Sequence, residues 1–431
     1  MADLKIYPSK LEGEVKIPPS KSIAHRAIIC ASLSDGFCKI ENIDYSDDII
    51  ATIDAMNSLG AEIVKYEDYL EIMGIYSNNK KIEENRIIDC NESGSTLRFL
   101  VPISLLFEGS SRFIGRGNLG KRPLTTYYNI FDKQGIKYSY EDESLNLIIN
   151  GNLKPDIFLV EGNVSSQFIS GLLFTLPLLD DDSKIIINTE MESKAYIDLT
   201  LRAMKTFGVE IINNDYKEFI IKGNQKYKAS DYYVEGDFSQ AAFYLCANAL
   251  NNNVLCKDLD ENSLQGDKEI IDILKRMNNV FQFGDKGIKC KNKGDLKNTI
   301  IDGSQCPDII PVLTSVAALT KGTTVIINSK RLRIKECDRL AAVTSELNKL
   351  GAEIIEKDDG LIITGVKELQ GGVEVWSHKD HRIAMTLAIA STRCKEPIII
   401  KDYECISKSY PTFFEDFKTL GGKVDEWNVG Q

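Results

Sequence analysis

One pattern recurs six times: a helix-like stretch stops at a leucine-glycine step or its like, and a short strand, a polar turn and a second strand follow. Five copies are clear at Leu59-Gly60-Ala61-Glu62-Ile63, Gln134-Gly135-Ile136-Lys137-Tyr138, Phe207-Gly208-Val209-Glu210-Ile211, Leu350-Gly351-Ala352-Glu353-Ile354 and Leu420-Gly421-Gly422-Lys423-Val424. A fourth in chain order is degraded, with Met277-Asn278-Asn279-Val280 in place of the glycine. The landmarks recur about every 70 residues, too far apart for an ordinary solenoid unit. A glycine just past a helix adopts the left-handed conformation without a Cβ penalty and turns the chain back. Alternation such as Glu62-Ile63-Val64-Lys65 then suits a sheet with one buried face. Each copy leaves room for another strand and helix and reads as a βαβαββ unit. The sixth is cut short. Six such units predict an α/β protein of two similar domains with three repeats each.

The bulk properties agree with that frame. At 431 residues the chain is too long for one hydrophobic core. Hydrophobic residues at 43% and charged residues at 27% are ordinary for a globular protein. No apolar run reaches the roughly 18 residues that span a bilayer, and nothing resembles a targeting segment, so a cytoplasmic protein without membrane contact is expected. Ten cysteines without a C-x-x-C pair read as reduced, mostly buried thiols, and three histidines are too few for a convincing metal site. A net charge of −11 argues against nucleic acid as a partner. Clusters of Lys and Arg stand out against this acidic background.

The first cluster is Pro18-Pro19-Ser20-Lys21-Ser22-Ile23-Ala24-His25-Arg26. Ser20 is placed to cap a helix whose first turns carry Lys21, Ser22 and Arg26, and a helix start with added cations favours an anion. Ordinary capping with exposed basic residues explains it equally well. The second is Asn91-Glu92-Ser93-Gly94-Ser95-Thr96-Leu97-Arg98, a small-residue turn that admits a phosphate or carboxylate close to backbone amides. It lacks the spacing of a nucleotide-binding loop. Gly120-Lys121-Arg122-Pro123 follows it. The third joins Ser165, Ser166 and Gln167 with Ser193 and Tyr196, whose hydroxyls and amide suit a polyhydroxylated, phosphorylated ligand. The fourth, Arg331-Leu332-Arg333-Ile334-Lys335-Glu336-Cys337-Asp338-Arg339, reads as a strand ending near Ile334 and a helix from Asp338. Asp308, the Asp380-His381-Arg382 helix start and Lys408 complete the set. His381 alone is more often structural; beside Arg382 it becomes an anion contact.

Taken together, the Lys-Ser-x-x-x-Arg, Ser-Ser-Gln, Arg-x-Lys-Glu-x-Asp-Arg and Asp-His-Arg segments resemble the 3-phosphoshikimate 1-carboxyvinyltransferase family. The resemblance covers essentially the whole chain. It implies the inside-out α/β prism fold, with one domain from 1–19 plus 236–431, the other from 20–235, and the active site in the cleft between them. It also implies transfer of the enolpyruvyl group of phosphoenolpyruvate to the 5-hydroxyl of shikimate 3-phosphate, with release of phosphate, by a monomer that needs neither metal nor organic cofactor. By similarity, shikimate 3-phosphate binds Lys21, Ser22, Arg26, Ser165, Ser166, Gln167, Ser193, Tyr196, Asp308 and Lys335. Arg331 joins them with little weight, since many members have asparagine there. Phosphoenolpyruvate binds Lys21, Gly94, Arg122, Gln167, Arg339, His381, Arg382 and Lys408.

The chemistry needs a carboxyl group that lends and retakes a proton at the methylene, and a base for the hydroxyl. Glu336 and Asp308 lie within the basic constellation and are expected in those roles, with Lys21 and Lys408 assisting. One rival is UDP-N-acetylglucosamine 1-carboxyvinyltransferase, which usually has Lys-Asn where Lys21-Ser22 stands and often a cysteine in the loop that here reads Phe113 to Leu119. A second is a non-catalytic anion-binding module, which would be expected to lose Glu336, Asp308 or Lys21.

Overall fold

Every landmark turns the chain through a left-handed residue. In the computed structural model, which describes residues 3–77, 82–140, 145–284 and 287–427, Gly60, Gly135, Gly208, Gly351 and Gly421 all have φ between +70° and +105°. In the degraded copy Asn278 takes the same conformation with φ +74°. Asparagine tolerates this region better than other side chains do, so the fourth repeat keeps its turn without glycine.

Each repeat builds a four-stranded sheet. Ile300–Asp302, Thr323–Ile327, Gly360–Thr364 and Glu353–Lys357 lie side by side in that order, the first pair parallel and the others antiparallel. Helices Ile310–Ala318 and Arg339–Lys349 connect them, completing βαβαββ. The sheets led by Asn85–Asp89 and by Ile157–Val160 are built the same way from one continuous stretch. The other three borrow a strand from afar. Tyr232–Tyr233 pairs in parallel with Phe37–Glu41, and Glu12–Lys16 with Asn253–Lys257. Asp3–Tyr7 runs antiparallel between Ile398–Lys401 and Lys423–Trp427, so the repeat that is short in sequence receives its fourth strand from the opposite end of the chain.

The chain divides into two compact units, Met1–Pro18 with Gly236–Gln431, and Pro19–Glu235. Within each, three helices are buried almost all round. They are Phe238–Ala249, Ile310–Ala318 and His381–Ser391 in the first unit, and Lys21–Ser32, Gly94–Ser104 and Ser166–Thr175 in the second. Their all-round apolar sequences require such a place. The strands supply the outer layer: Ile157–Val160 alternates exposed and buried, and Ile87, Leu159 and Ile300 remain exposed. Helices inside and sheets outside give each unit its own core, and helices Lys21–Ser32, Gly94–Ser104 and His381–Ser391 start within the basic motifs.

One local expectation fails. Lys330–Ile334 is a 3₁₀ helix, not the end of a strand. Arg333 causes it: the guanidinium donates to the carbonyls of Asp358 (3.0 Å) and Lys357 (2.7 Å) and to Glu356 and Asp338 (2.7 Å each). Those contacts coil the segment against a hairpin some 25 residues ahead.

Candidate active site

In the discontinuous unit, Arg339 is the hub. It is the first residue of helix Arg339–Lys349, capped by Asp338 through the Ala341 amide (3.1 Å). Its side chain, sealed from solvent, donates from Nε to Asp380 Oδ2 (2.7 Å), from Nη1 to Asp308 Oδ1 (2.9 Å) and from Nη2 to Glu336 Oε2 (2.7 Å). One guanidinium therefore fixes three carboxylates from three segments, using the planar fork that lysine lacks. Asp380 also caps helix His381–Ser391 by accepting from the Arg382 amide (2.9 Å).

Asp308 sits in the tight turn Pro307–Ile309 and faces Lys335 Nζ at 3.4 Å and Arg382 Nη2 at 3.3 Å besides Arg339. Burial alone would lift its carboxyl, but Arg382, Lys335 and Arg339 outweigh it and hold Asp308 well below the usual carboxylate range. Burial lowers the Lys335 ammonium in turn, with Asp308 opposing. Glu336 Oε1 lies 3.7 Å from Lys408 Nζ, and both side chains are largely buried. Arg331 belongs to the 3₁₀ turn and faces Lys335. His381 is buried with Nδ1 at 3.9 Å from Asp380 Oδ1. Arg382 Nη1 is buried without a hydrogen-bond partner among the described residues, the condition of a donor awaiting an anion. The structure thus brings Asp308, Arg331, Lys335, Glu336, Arg339, His381, Arg382 and Lys408 together in this unit.

In the continuous unit Lys21, Ser22, Arg26, Gly94, Ser165, Ser166 and Gln167 lie at the starts of the three buried helices, Ser193 and Tyr196 at the start of helix Lys194–Thr206, and Arg122 just after the turn Leu119–Lys121. Ser20 occupies the N-cap position of Lys21–Ser32 without a side-chain capping bond. Lys21 reaches Asp48 Oδ2 (2.7 Å). Arg26 is buried and works as a clamp, donating from Nε to Thr200 (2.8 Å), from Nη1 to the Ser22 carbonyl (2.5 Å) and from Nη2 to the Tyr196 carbonyl (2.9 Å). It ties helix Lys194–Thr206 to Lys21–Ser32, a structural task that the sequence motif did not reveal. Ser193, at the N-cap with φ +54°, precedes that helix. His25 bonds Thr52 (2.7 Å), and burial, against a pull from Asp48, drives its pKa down to about 3, so it is a neutral core residue.

Around Gly94 the fit is close. A Cβ there would lie 2.5 Å from Arg122 Nη1. Gln167 accepts from Arg98 Nη1 (2.8 Å) and donates to Ser95 (2.9 Å), while Ser165 caps Ser166–Thr175 through the Gln167 amide (3.3 Å). Gly94, Arg122 and Gln167 thus form one polar group beside two helix N-termini, where free amides and the dipole favour anions. Among the described residues no group of His, Cys, Asp or Glu is arranged to hold a metal ion, and no helix is long and apolar enough to cross a membrane.

Sequence reasoning missed Asp48 and Thr200. Asp47 and Asp48 open a helix together, and only the fold shows which faces Lys21. Asp338 also pairs with a cation of the basic run, Arg333, at 2.7 Å. Cys337 is half-buried with Sγ 3.6 Å from Asp380 Oδ2, and burial pushes its thiol up, which makes it a poor nucleophile.

The family model described as EPSP synthase (3-phosphoshikimate 1-carboxyvinyltransferase) matches residues 6–417. The chain belongs to this family. EPSP synthase stands for 5-enolpyruvylshikimate-3-phosphate synthase, a transferase. The 3-phosphoshikimate 1-carboxyvinyltransferase of Clostridium beijerinckii is 71% identical, with 100% of both chains covered. That of Clostridioides difficile is 67% identical, again with 100% of both covered. In three dimensions the chain is similar to the EPSP synthase of Acinetobacter baumannii, with a TM-score of 0.81 at 24% identity, covering 99% of this chain and 100% of that one. The enolpyruvyl transferase NikO of Streptomyces tendae gives 0.79 at 14% identity, covering 99% of this chain and 98% of that one. These two likenesses concern the fold, which is the two-domain inside-out α/β type.

Proposed function

We propose that the protein transfers the enolpyruvyl group of phosphoenolpyruvate to the 5-hydroxyl of shikimate 3-phosphate, releasing phosphate, as a cytoplasmic monomer. The observation that carries this reading is the cluster of Asp308, Glu336, Lys335, Arg339, Arg382 and Lys408, in which four cations stand against these two carboxylates and Asp380. The substrates bring phosphates and carboxylates, and charge-assisted contacts to them are each worth about 1.5–3 kcal/mol. The names of the relatives support this acceptor over a sugar nucleotide or a non-catalytic role.

In the discontinuous unit, Arg339, His381, Arg382 and Lys408 hold the donor. Glu336 gives a proton to the donor methylene and retakes it after phosphate leaves, with Lys408 beside it to balance its charge. Asp308 accepts the hydroxyl proton. In the resting protein it is ionised but pinned by three cations, which makes it a weak base. Substrate anions that draw Lys335, Arg339 and Arg382 toward themselves loosen that hold and raise its basicity when the alcohol is in place. In the continuous unit, Lys21, Gly94, Arg122 and Gln167 serve the donor, with Lys21 assisting proton transfer. Ser22, Arg26, Ser165, Ser166, Gln167, Ser193 and Tyr196 serve the acceptor there, as Asp308, Lys335 and Arg331 do in the other unit. The test is phosphate release from phosphoenolpyruvate with shikimate 3-phosphate, run beside UDP-N-acetylglucosamine without added metal. Release that requires shikimate 3-phosphate is expected. Release with the sugar nucleotide instead would overturn the acceptor, and none with either would overturn the reaction.

A further inference from the structure

Helices Lys21–Ser32, Asp47–Ser58 and Gly94–Ser104 are joined by a chain of four polar side chains that the reaction as drawn does not use. His25 lies one turn into the first helix and Thr52 lies in the second; Thr96 is in the first turn of the third, and Ser93 is its N-cap. His25 Nδ1 meets Thr52 Oγ1 at 2.7 Å, Thr52 Oγ1 meets Thr96 Oγ1 at 2.7 Å, and Thr96 Oγ1 meets Ser93 Oγ at 2.7 Å. All four residues are buried, so no solvent competes for these bonds.

The order of the hydrogens along the chain follows from its far end. A contact this short between two such atoms holds one hydrogen, and each hydroxyl has one to give. Thr96 donates its own to Ser93 Oγ, which also accepts from the Thr96 amide (3.2 Å). Thr96 Oγ1 can then only accept from Thr52, and Thr52 can only accept from His25, so the ring hydrogen sits on Nδ1. The ring is neutral, which leaves Nε2 bare. Nε2 is buried without a hydrogen-bond partner among the described residues; as with backbone groups, an acceptor is left so more often than a donor. Both ends of the chain lie at the site. Lys21 stands one turn before His25 and pairs with Asp48, itself one turn before Thr52. Ser93 precedes Gly94, where a Cβ would lie 2.5 Å from Arg122 Nη1.

We propose that His25 and Thr52 are positioning residues for donor binding: His25, as the Nδ1–H tautomer, heads a one-way hydrogen-bond chain through Thr52 and Thr96 to Ser93 that sets the Gly94 turn against Lys21. These four side chains hold the groups that meet the substrate and do not meet it themselves. Arg26 on the acceptor side is anchored separately, by Thr200 and the Tyr196 carbonyl, so loss of the chain falls on the donor. The inference rests on the proposed donor roles of Lys21, Gly94 and Arg122.

The test uses the full-length enzyme, with nitrogen NMR of isotope-labelled histidine for the tautomer and steady-state kinetics for the site. The chain has three histidines, and H25Q identifies the His25 signals. The wild type is expected to show His25 as Nδ1–H; a ring that carries its hydrogen on Nε2 overturns the chain. T52V removes the central hydroxyl at nearly constant shape and is expected to release the tautomer. It is also expected to raise KM for phosphoenolpyruvate about five- to tenfold, the worth of about one hydrogen bond, with kcat and KM for shikimate 3-phosphate little changed. T52S keeps a hydroxyl and is expected to restore both readouts. Should T52V fail to fold, S93A removes the terminal acceptor, so that Thr96 can turn back toward Thr52 and His25 is expected to lose its exclusive Nδ1–H form. Variants that lose stability while the donor KM and the His25 spectrum stay as in the wild type overturn the inference, and so does a rise confined to the acceptor KM. Absence of turnover with shikimate 3-phosphate overturns the proposed function and the donor role drawn from it, whereas the tautomer is read from the protein alone.

Discussion

Replacing Asp380 by asparagine would separate the ion pair with Arg339 from the other task of this residue. Asparagine caps a helix about as well as aspartate, so the bond from the Arg382 amide (2.9 Å) should survive. What disappears is the negative charge in the contacts from Arg339 Nε (2.7 Å) and Nη2 (3.3 Å). With side chains 2% and 0% exposed, no water replaces it. Removing one partner of a buried pair costs about 3–5 kcal/mol. Arg339 keeps Asp308 and Glu336, which places the expected loss at the low end, about 3 kcal/mol. In a cooperative unit of about 200 residues that lowers the melting temperature by about 6–12 °C. D380A loses the cap as well and should cost about 1 kcal/mol more. Urea unfolding and scanning calorimetry of the wild type and both variants measure these differences. D380N within about 0.5 kcal/mol of the wild type would refute the reasoning, because Arg339 would then be held by the other carboxylates alone.

Gly94→Ala should push Arg122 aside, since the new Cβ would stand 2.5 Å from its Nη1; steady-state kinetics should show a higher KM for the donor with the acceptor KM little changed, and the reverse pattern would move Arg122 to the acceptor. Glu336→Gln and Asp308→Asn should each lower kcat by about 100-fold or more; near-normal turnover in both would reject the proton-transfer roles. His25 is neutral in the fold and titrates at 6.5 when unfolded, so the unfolded chain binds the extra proton as pH falls from 6.5 toward about 3. Stability is full above 6.5 and declines through that window, by roughly 3–5 kcal/mol from this residue alone. His25→Gln should flatten that limb of a denaturation-against-pH curve, and an unchanged limb would show that His25 is not the group responsible.

The repeat was legible because its turn is governed by one torsion, and φ at Gly60, Gly351 and even Asn278 obeys it. Strand pairing over long range was not legible. Nothing in Asp3–Tyr7 says that its neighbours are Ile398–Lys401 and Lys423–Trp427, because alternation fixes a face and not a partner. The 3₁₀ turn at Lys330–Ile334 escaped for a related reason: four alternating residues are too few to outweigh the four contacts of Arg333. At the site, clustered charges near helix starts pointed to Lys335, Glu336, Arg339 and Arg382. Partners supplied by other segments, such as Asp48 for Lys21, emerge only with the fold. Arg26 shows the converse, a basic residue in a motif whose hydrogen bonds go to Thr200 and two backbone carbonyls.

The placement of Asp3–Tyr7 inside a sheet whose other strands lie beyond residue 373 sets an order on biogenesis. Pro19–Glu235 is continuous and can fold while the ribosome is still making the remainder. Asp3–Tyr7 must wait, unpaired, until Ile398–Lys401 and Lys423–Trp427 have been made; at usual elongation rates the residues between take roughly 20–80 s. A short apolar-and-charged strand left open that long is a natural client for chaperones. Moving its sequence to follow Trp427 by circular permutation should remove the wait while leaving the sheet intact.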